Sequence, residues 1–249
     1  MPTKNNKGSY DINEKTPYTD SVSGIKETFK FAGLLAKEYF ANDPISSLDV
    51  GCANGVLSNY LSGFFSKTKF IGIDVTPQFI SEAQKLTGPN MKFIDKSLEN
   101  FNTECSQKKL KFNLVTCIGT LGMWDNPYDA ITQLVELTGK SSLLIIEGNF
   151  NFDNYDVRIE YRKNSGVETE PWNIGLNQIS VEATSTVLNR LPLNYEFIKM
   201  PFSKSVVKVN NYSTPRWYTD KDSKDLQDRY LVNDLGMRMK HTFLKIVTK

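Results

Sequence analysis

Between residues 45 and 147, five short apolar runs alternate with segments whose apolar residues recur at steps of three and four. The runs are 45–50, 69–74, 91–94, 112–118 and 143–146. Val56, Leu57, Tyr60, Leu61 and Phe64 fall at helix spacing after the first run. Thr76-Pro77 opens a second helix through Phe79, Ile80, Ala83 and Leu86, an N-cap residue followed by proline in the first turn. Asn126-Pro127 opens a third through Tyr128, Ile131, Leu134 and Val135, with Gly139 as its expected stop. This alternation predicts a parallel sheet with helices on both faces. Ligands of such sheets sit at the carboxyl ends of the strands, near the switch in strand order. The residues just after each strand therefore carry the functional argument.

The flanks are less regular. Ile25, Phe29, Ala32 and Leu35 predict a helix over 23–39, behind a polar arm over 1–20. A helix over 180–191, a strand over 195–200 and a closing strand over 241–247 follow a long irregular stretch. The expected architecture is a three-layer α/β sandwich on a mostly parallel seven-stranded sheet with an antiparallel last strand. It is read as one domain over 1–249. The arm and first helix occupy 1–41, the cofactor core 45–147 and the second-ligand region 148–249.

Composition narrows the partners. Thirty basic and 28 acidic residues leave a net charge of +2. That argues against a nucleic-acid coat or a polybasic membrane anchor, which need many cationic contacts. No apolar run reaches the ~20 residues of a membrane span, and residues 1–10 lack the apolar region of a secretory signal. Cys52, Cys105 and Cys117 are odd in number and form no CxxC. A disulfide framework and a cysteine-rich metal site are therefore not expected, and a reducing cytoplasm is. His241 is the one histidine, which excludes any mechanism needing a histidine pair. Its place in the closing strand reads as structural.

The most informative segment is Leu48-Asp49-Val50-Gly51-Cys52-Ala53-Asn54-Gly55, where the first strand turns into a helix. Small residues at 51, 53 and 55 let the backbone approach a ligand closely. Nineteen residues beyond Gly55 comes Asp74, at the end of the second strand, where a carboxylate can take both hydroxyls of a ribose. Loop and acid together indicate a nucleoside-containing cofactor. The dinucleotide pattern G-x-G-x-x-G is not met, since Ala53 and Val56 stand at its second and third positions, and no phosphate-binding P-loop occurs. The carboxylate of Asp49 suits a cationic ligand end better than a phosphate.

On these residues, 45–147 resembles a class I S-adenosylmethionine (SAM)-dependent methyltransferase of Rossmann-like fold, with Ala53 in place of the middle glycine of the first motif. The resemblance implies that Asp49 lies near the methionine ammonium and that the backbone of Gly51, Cys52, Ala53 and Gly55 lines the methionine and ribose. It implies Asp74, with Val75 beside it, at the ribose. Ser97 and Leu98 flank the adenine, and Ile118 and Gly119 flank the sulfonium. Ser97 reads equally as a helix cap. SAM is the one cofactor expected, without a metal.

Methyltransferases of this kind that act on small molecules often carry histidine shortly after the fourth strand, where this chain has Gly122 and Met123. The candidate bases are then Glu147, at the end of the fifth strand, and Asp125, with Asp153 and Asp156 just beyond. Asp125 reads equally as a cap of the helix that follows. Asn126-Pro127-Tyr128 lies too far beyond the fourth strand, and lacks the second proline, to be the motif of nucleic-acid amino-methylating enzymes.

All six arginines follow residue 150, in a chain that otherwise uses lysine. Arg158, Arg162 and Arg216 are read as holding an anionic acceptor through their planar forks, with Trp124 and Trp172 stacking on it. Surface pairing of Arg158 with Glu160 is the competing reading. Tyr18 is read as part of a lid. The C-terminal half loosely resembles methyltransferases of polysaccharide biosynthesis, through DVRIEYR, WNIGLNQIS and PRWYT. This implies O-methylation of a small acceptor, a sugar or nucleotide-linked sugar. The alternatives are an NAD-dependent oxidoreductase, a non-catalytic SAM-binding protein and an RNA methyltransferase.

Overall fold

A computed structural model describes residues 25–86, 88–161, 173–174, 177–200, 217–219, 231–233, 238–239 and 241–249. The principal sheet has seven strands: β1 (Ser46–Val50), β2 (Lys69–Asp74), β3 (Met91–Asp95), β4 (Phe112–Ile118), β5 (Thr138–Gly148), β6 (Leu193–Lys199) and β7 (Thr242–Thr248). Their spatial order is β3-β2-β1-β4-β5-β7-β6. β7 runs antiparallel to both β5 and β6, and the other neighbouring pairs are parallel. The switch in strand order falls between β1 and β4, which pair through Ser47–Leu114, Leu48–Val115 and Asp49–Thr116.

Among the described residues, six α-helices accompany these strands: α1 (Glu27–Tyr39), α2 (Val56–Ser62), α3 (Pro77–Ala83), α4 (Leu98–Lys108), α5 (Pro127–Leu137) and α6 (Val181–Leu188). They complete the three layers. One apolar cluster joins Phe101 and Cys105 of α4, Ile131 and Leu134 of α5 and Leu188 of α6 to Leu48, Val115, Ile146 and Leu244 of the sheet. The opposite cluster joins Ala32, Leu35 and Ala36 of α1 and Leu57 and Leu61 of α2 to Leu114, Ile145 and Phe243. The central strands β4 and β5 are covered on both faces, which is why they read as continuous apolar runs rather than alternating ones.

The expected sheet, including its reversed last strand, is the one observed. Three local readings change. α4 was not read from the sequence, because Asn, Thr, Ser and Lys fill most of its exposed positions and leave only Leu98, Phe101 and Cys105 to mark the buried stripe. α5 ends at Leu137, and Gly139 lies inside β5 rather than stopping the helix. β6 starts two residues earlier than expected and β7 one residue later. No helix among the described residues is long and apolar enough to cross a membrane.

Candidate active site

The turn after β1 is built on backbone conformations that side chains resist. Gly51 and Gly55 have φ of +71° and +78°. A Cβ on Gly51 would run into the side chain of Thr120, and one on Gly55 would lie 2.7 Å from Phe93 Cζ. Ala53 also sits at positive φ, +45°. The alanine that replaces the motif's middle glycine thus keeps a glycine-like backbone, at a cost of about 1 kcal/mol. The N–H groups of Gly51 and Cys52 both donate to the Ile73 carbonyl, at 2.9 and 3.0 Å, which fastens the turn to the end of β2. The Ala53 N–H donates to Asp74 Oδ2 at 3.0 Å, and the Thr76 N–H to Asp74 Oδ1 at 2.9 Å. Burial raises the Asp74 carboxyl above its ordinary range, and these N–H donors partly offset that shift.

Asp49 lies beneath the turn, 3% exposed. Ser58 donates to its Oδ2 at 3.0 Å and Thr116 to its Oδ1 at 2.9 Å. Burial pushes its carboxyl up to about 6 against these two donors. Asp49 therefore acts on the loop from below, through its field. Cys52 packs in a cluster with Ile80, Ala83 and Phe93, and its thiol donates to the Ala53 carbonyl at 3.6 Å; burial raises that thiol. Val75, half exposed, follows Asp74.

At β3 and β4 the expected positions divide. Ser97 caps α4, accepting from the Asn100 N–H at 3.3 Å, and Leu98 is buried in the core. Ile118 is buried on the α1 face, and Gly119 follows it at φ +74°. Glu147, next to last in β5, pairs beside Ile118 and is 4% exposed. A Cβ on Gly119 would lie 3.7 Å from Glu147 Oε2, so the ends of β4 and β5 meet there. Glu147 Oε1 lies 2.6 Å from His241 Nδ1.

The acceptor-side residues are less concentrated. Asp125 is exposed, and Arg158 donates to its Oδ1 at 2.9 Å and to Glu160 Oε1 at 3.0 Å. Arg158 thus makes the surface pairing that its sequence neighbourhood also allowed, and Asn126, not Asp125, caps α5. Asp156 accepts from Tyr128 Oη and the Ser180 N–H, both at 2.7 Å, which makes it a clamp between segments. Asp153 lies on an exposed turn held by Asn151. Trp124 packs partly buried against the core, and Asn177 donates to its carbonyl at 3.2 Å. Tyr18, Arg162, Trp172 and Arg216 lie outside the described residues. Among the described residues, no cluster of three or more His, Cys, Asp and Glu could hold a metal ion.

Sequence reasoning missed Ser58, Thr116, Thr120 and His241. The two hydroxyls on Asp49 carry no motif of their own. His241 reads as structural from the sequence because it is a lone histidine in the closing strand with no placed partner. Yet that strand's reversal is what brings its amino end to the carboxyl edge of the sheet.

Residues 48–139 match the family described as methyltransferase domain. No curated protein matches this sequence closely enough to be counted a relative. Many solved structures share the fold, among them three methyltransferases. The plantazolicin methyltransferase BpumL, in complex with a triazolic desmethylPZN analog and S-adenosylhomocysteine (SAH), is 17% identical with a TM-score of 0.57, over 94% of this chain and 92% of its own. The plantazolicin methyltransferase BamL, in a corresponding complex, is 19% identical with a TM-score of 0.54, over 89% and 84%. The N-methyltransferase NodS from Bradyrhizobium japonicum WM9, in complex with SAH, is 12% identical with a TM-score of 0.50, over 99% and 93%. The matched segment and the shared fold are those of SAM-dependent methyltransferases. The chemistry SAM supplies is an activated methyl group on a positively charged sulfur, so the protein's work is alignment, dehydration and proton handling.

Proposed function

We propose that this methyltransferase transfers the methyl group of SAM to a hydroxyl of a small polar, anionic acceptor, a sugar or nucleotide-linked sugar of polysaccharide biosynthesis, in the cytoplasm. The observation that carries the cofactor half is the bond between Asp74 and the Ala53 N–H, which joins the glycine turn to the end of β2 at the carboxyl edge. In this reading Asp74 and Val75 hold the ribose, the backbone of Gly51, Cys52, Ala53 and Gly55 lines the methionine, and Asp49 attracts its ammonium from beneath. Ser97 and Leu98 place the chain beside the adenine, and Ile118 and Gly119 stand beside the sulfonium. The acceptor approaches over Trp124, with Arg162, Trp172 and Arg216 contributing from the 148–249 region of the single domain. Arg158, paired with two carboxylates, is the weakest member of that set.

The test is calorimetric titration with SAM and with NAD, on the wild type and Asp74→Ala, followed by SAH release on a panel of acceptors. The panel contains UDP-glucuronic acid, UDP-glucose, their free sugars and a primary amine. Micromolar SAM binding that collapses in the variant, no NAD binding and turnover on a sugar arm are the expected results. NAD binding hands the site to an oxidoreductase, and turnover on the amine alone removes the O-methylation reading.

A further inference from the structure

Glu147 and His241 form a close pair that the cofactor turn does not use. Their residue numbers differ by 94, and their atoms by 2.6 Å. Glu147 pairs in register with Ile118 on one side and with Phe243 on the other. Its second oxygen faces the position above Gly119. His241 keeps a quarter of its side chain exposed, whereas the carboxylate is enclosed. Lys26, at the start of α1, approaches the same carboxylate: burial pushes its ammonium down to about 8, and the charge of Glu147 opposes that shift. β5, β7 and the start of α1 thus bring Glu147, His241 and the charge of Lys26 to one end of the sheet, with Glu147 beside Gly119.

A carboxylate oxygen accepts hydrogen bonds, so the pair is complete when Nδ1 of His241 carries the proton. The neutral ring then carries its lone pair on Nε2. A buried carboxylate that fixes the tautomer of a histidine and stabilises its protonated form is the arrangement that makes imidazole an effective base in hydrolases. Glu147, read from the sequence as a base, takes the positioning part here.

We infer that His241 is the base that removes the proton from a hydroxyl acceptor during methyl transfer, with Glu147 as its positioning residue. This rests on the reading that places the sulfonium of SAM beside Gly119. In the step, the acceptor oxygen bonds to the methyl carbon as the carbon–sulfur bond breaks, and that electron pair stays on sulfur in SAH. The hydroxyl proton passes to Nε2, the imidazolium is held against Glu147, and the proton then leaves to water. A sugar alcohol keeps its proton at neutral pH, so it gains from such a base, whereas an already ionised carboxylate acceptor would not.

The sole histidine of the chain makes the test direct, because an imidazole signal needs no assignment. Nitrogen NMR on histidine-labelled wild type is expected to show the Nδ1–H tautomer in the neutral ring, and Glu147→Ala is expected to lose that preference. Carbethoxylation of the imidazole by diethyl pyrocarbonate should slow by about fivefold or more with saturating SAM. With the acceptor returned by the panel above, kcat of His241→Gln should fall about a hundredfold with little change in KM. An Nε2–H tautomer in the wild type, or modification at one rate with and without SAM, overturns the inference. Absence of SAM binding in calorimetry overturns the cofactor reading instead, and the tautomer still decides the pair. The wild-type spectra hold even if a variant fails to fold.

Discussion

Phe93 on β3 fills the space that a side chain at Gly55 would need. The would-be Cβ of Gly55 lies 2.7 Å from Phe93 Cζ, and that of Gly72 on β2 lies 2.5 Å from Phe93 Cδ1. One ring therefore sits over two glycines, and the cofactor turn rests on it. Gly55→Ala meets this ring and a φ of +78° together. It should cost about 2 kcal/mol or more and lower Tm by roughly 4–8 °C in a chain of this size. Thermal melts of Gly55→Ala alone and with Phe93→Leu check the mechanism, because the smaller side chain should restore part of the loss. An unchanged Tm in the single variant would show that the turn relaxes freely.

Asp74→Asn keeps an acceptor for the Ala53 N–H but removes the charge. Bonds from ribose hydroxyls to a carboxylate contribute about 1.5–3 kcal/mol, so SAM affinity should drop about ten- to a hundredfold. Calorimetry reads this, and a Kd within twofold of wild type would place the ribose elsewhere.

Asp49 makes the apo protein's stability depend on pH. Its folded carboxyl stands at about 6, above the ordinary value of 3.8. Between these values the folded state binds more protons than the unfolded one, so the contribution of Asp49 to stability declines as pH rises through this window. The full difference amounts to about 3 kcal/mol. Asp74, also raised, acts in the same direction. Denaturant titrations from about pH 4 to about pH 7 should show a flatter profile for Asp49→Asn than for wild type. Parallel profiles would contradict the burial of an ionising Asp49.

The Arg158 pairs lie on the surface, with half of the arginine side chain exposed. Exposed pairs contribute at most about 1 kcal/mol, so Arg158→Gln should lower Tm by no more than about 4 °C. SAM affinity should not change. Acceptor KM is the discriminating measurement: a large rise would restore Arg158 to the acceptor site despite its carboxylate partners.

The sequence exposed the parts of the site that are local. The turn from Asp49 to Gly55 and the acid at Asp74 follow from spacing along consecutive elements, and five strands follow from uninterrupted apolar runs. Two kinds of information were not local. Ser58 and Thr116 reach Asp49 from α2 and β4, and hydroxyls of this kind stand throughout the chain. His241 gains its meaning from a strand order that inserts β7 between β5 and β6. The reversed direction of β7 was readable as an expectation, but which side chain its amino end would meet depended on the register with β5. α4 escaped because an exposed face of Asn, Thr and Lys left too few apolar residues to count.

The insertion of β7 also bears on how the enzyme comes apart. β6 joins the sheet only through β7, whereas β1 to β5 are paired without it. An opening that releases β7 must release β6 as well and separate His241 from Glu147, while the turn at Gly51 and Asp74 can stay intact. Amide protons of β6 and β7 should therefore exchange as one cooperative unit, distinct from the slower protons of β1 and β4. A partly opened molecule would then keep the turn at Gly51 and Asp74 without the Glu147–His241 pair.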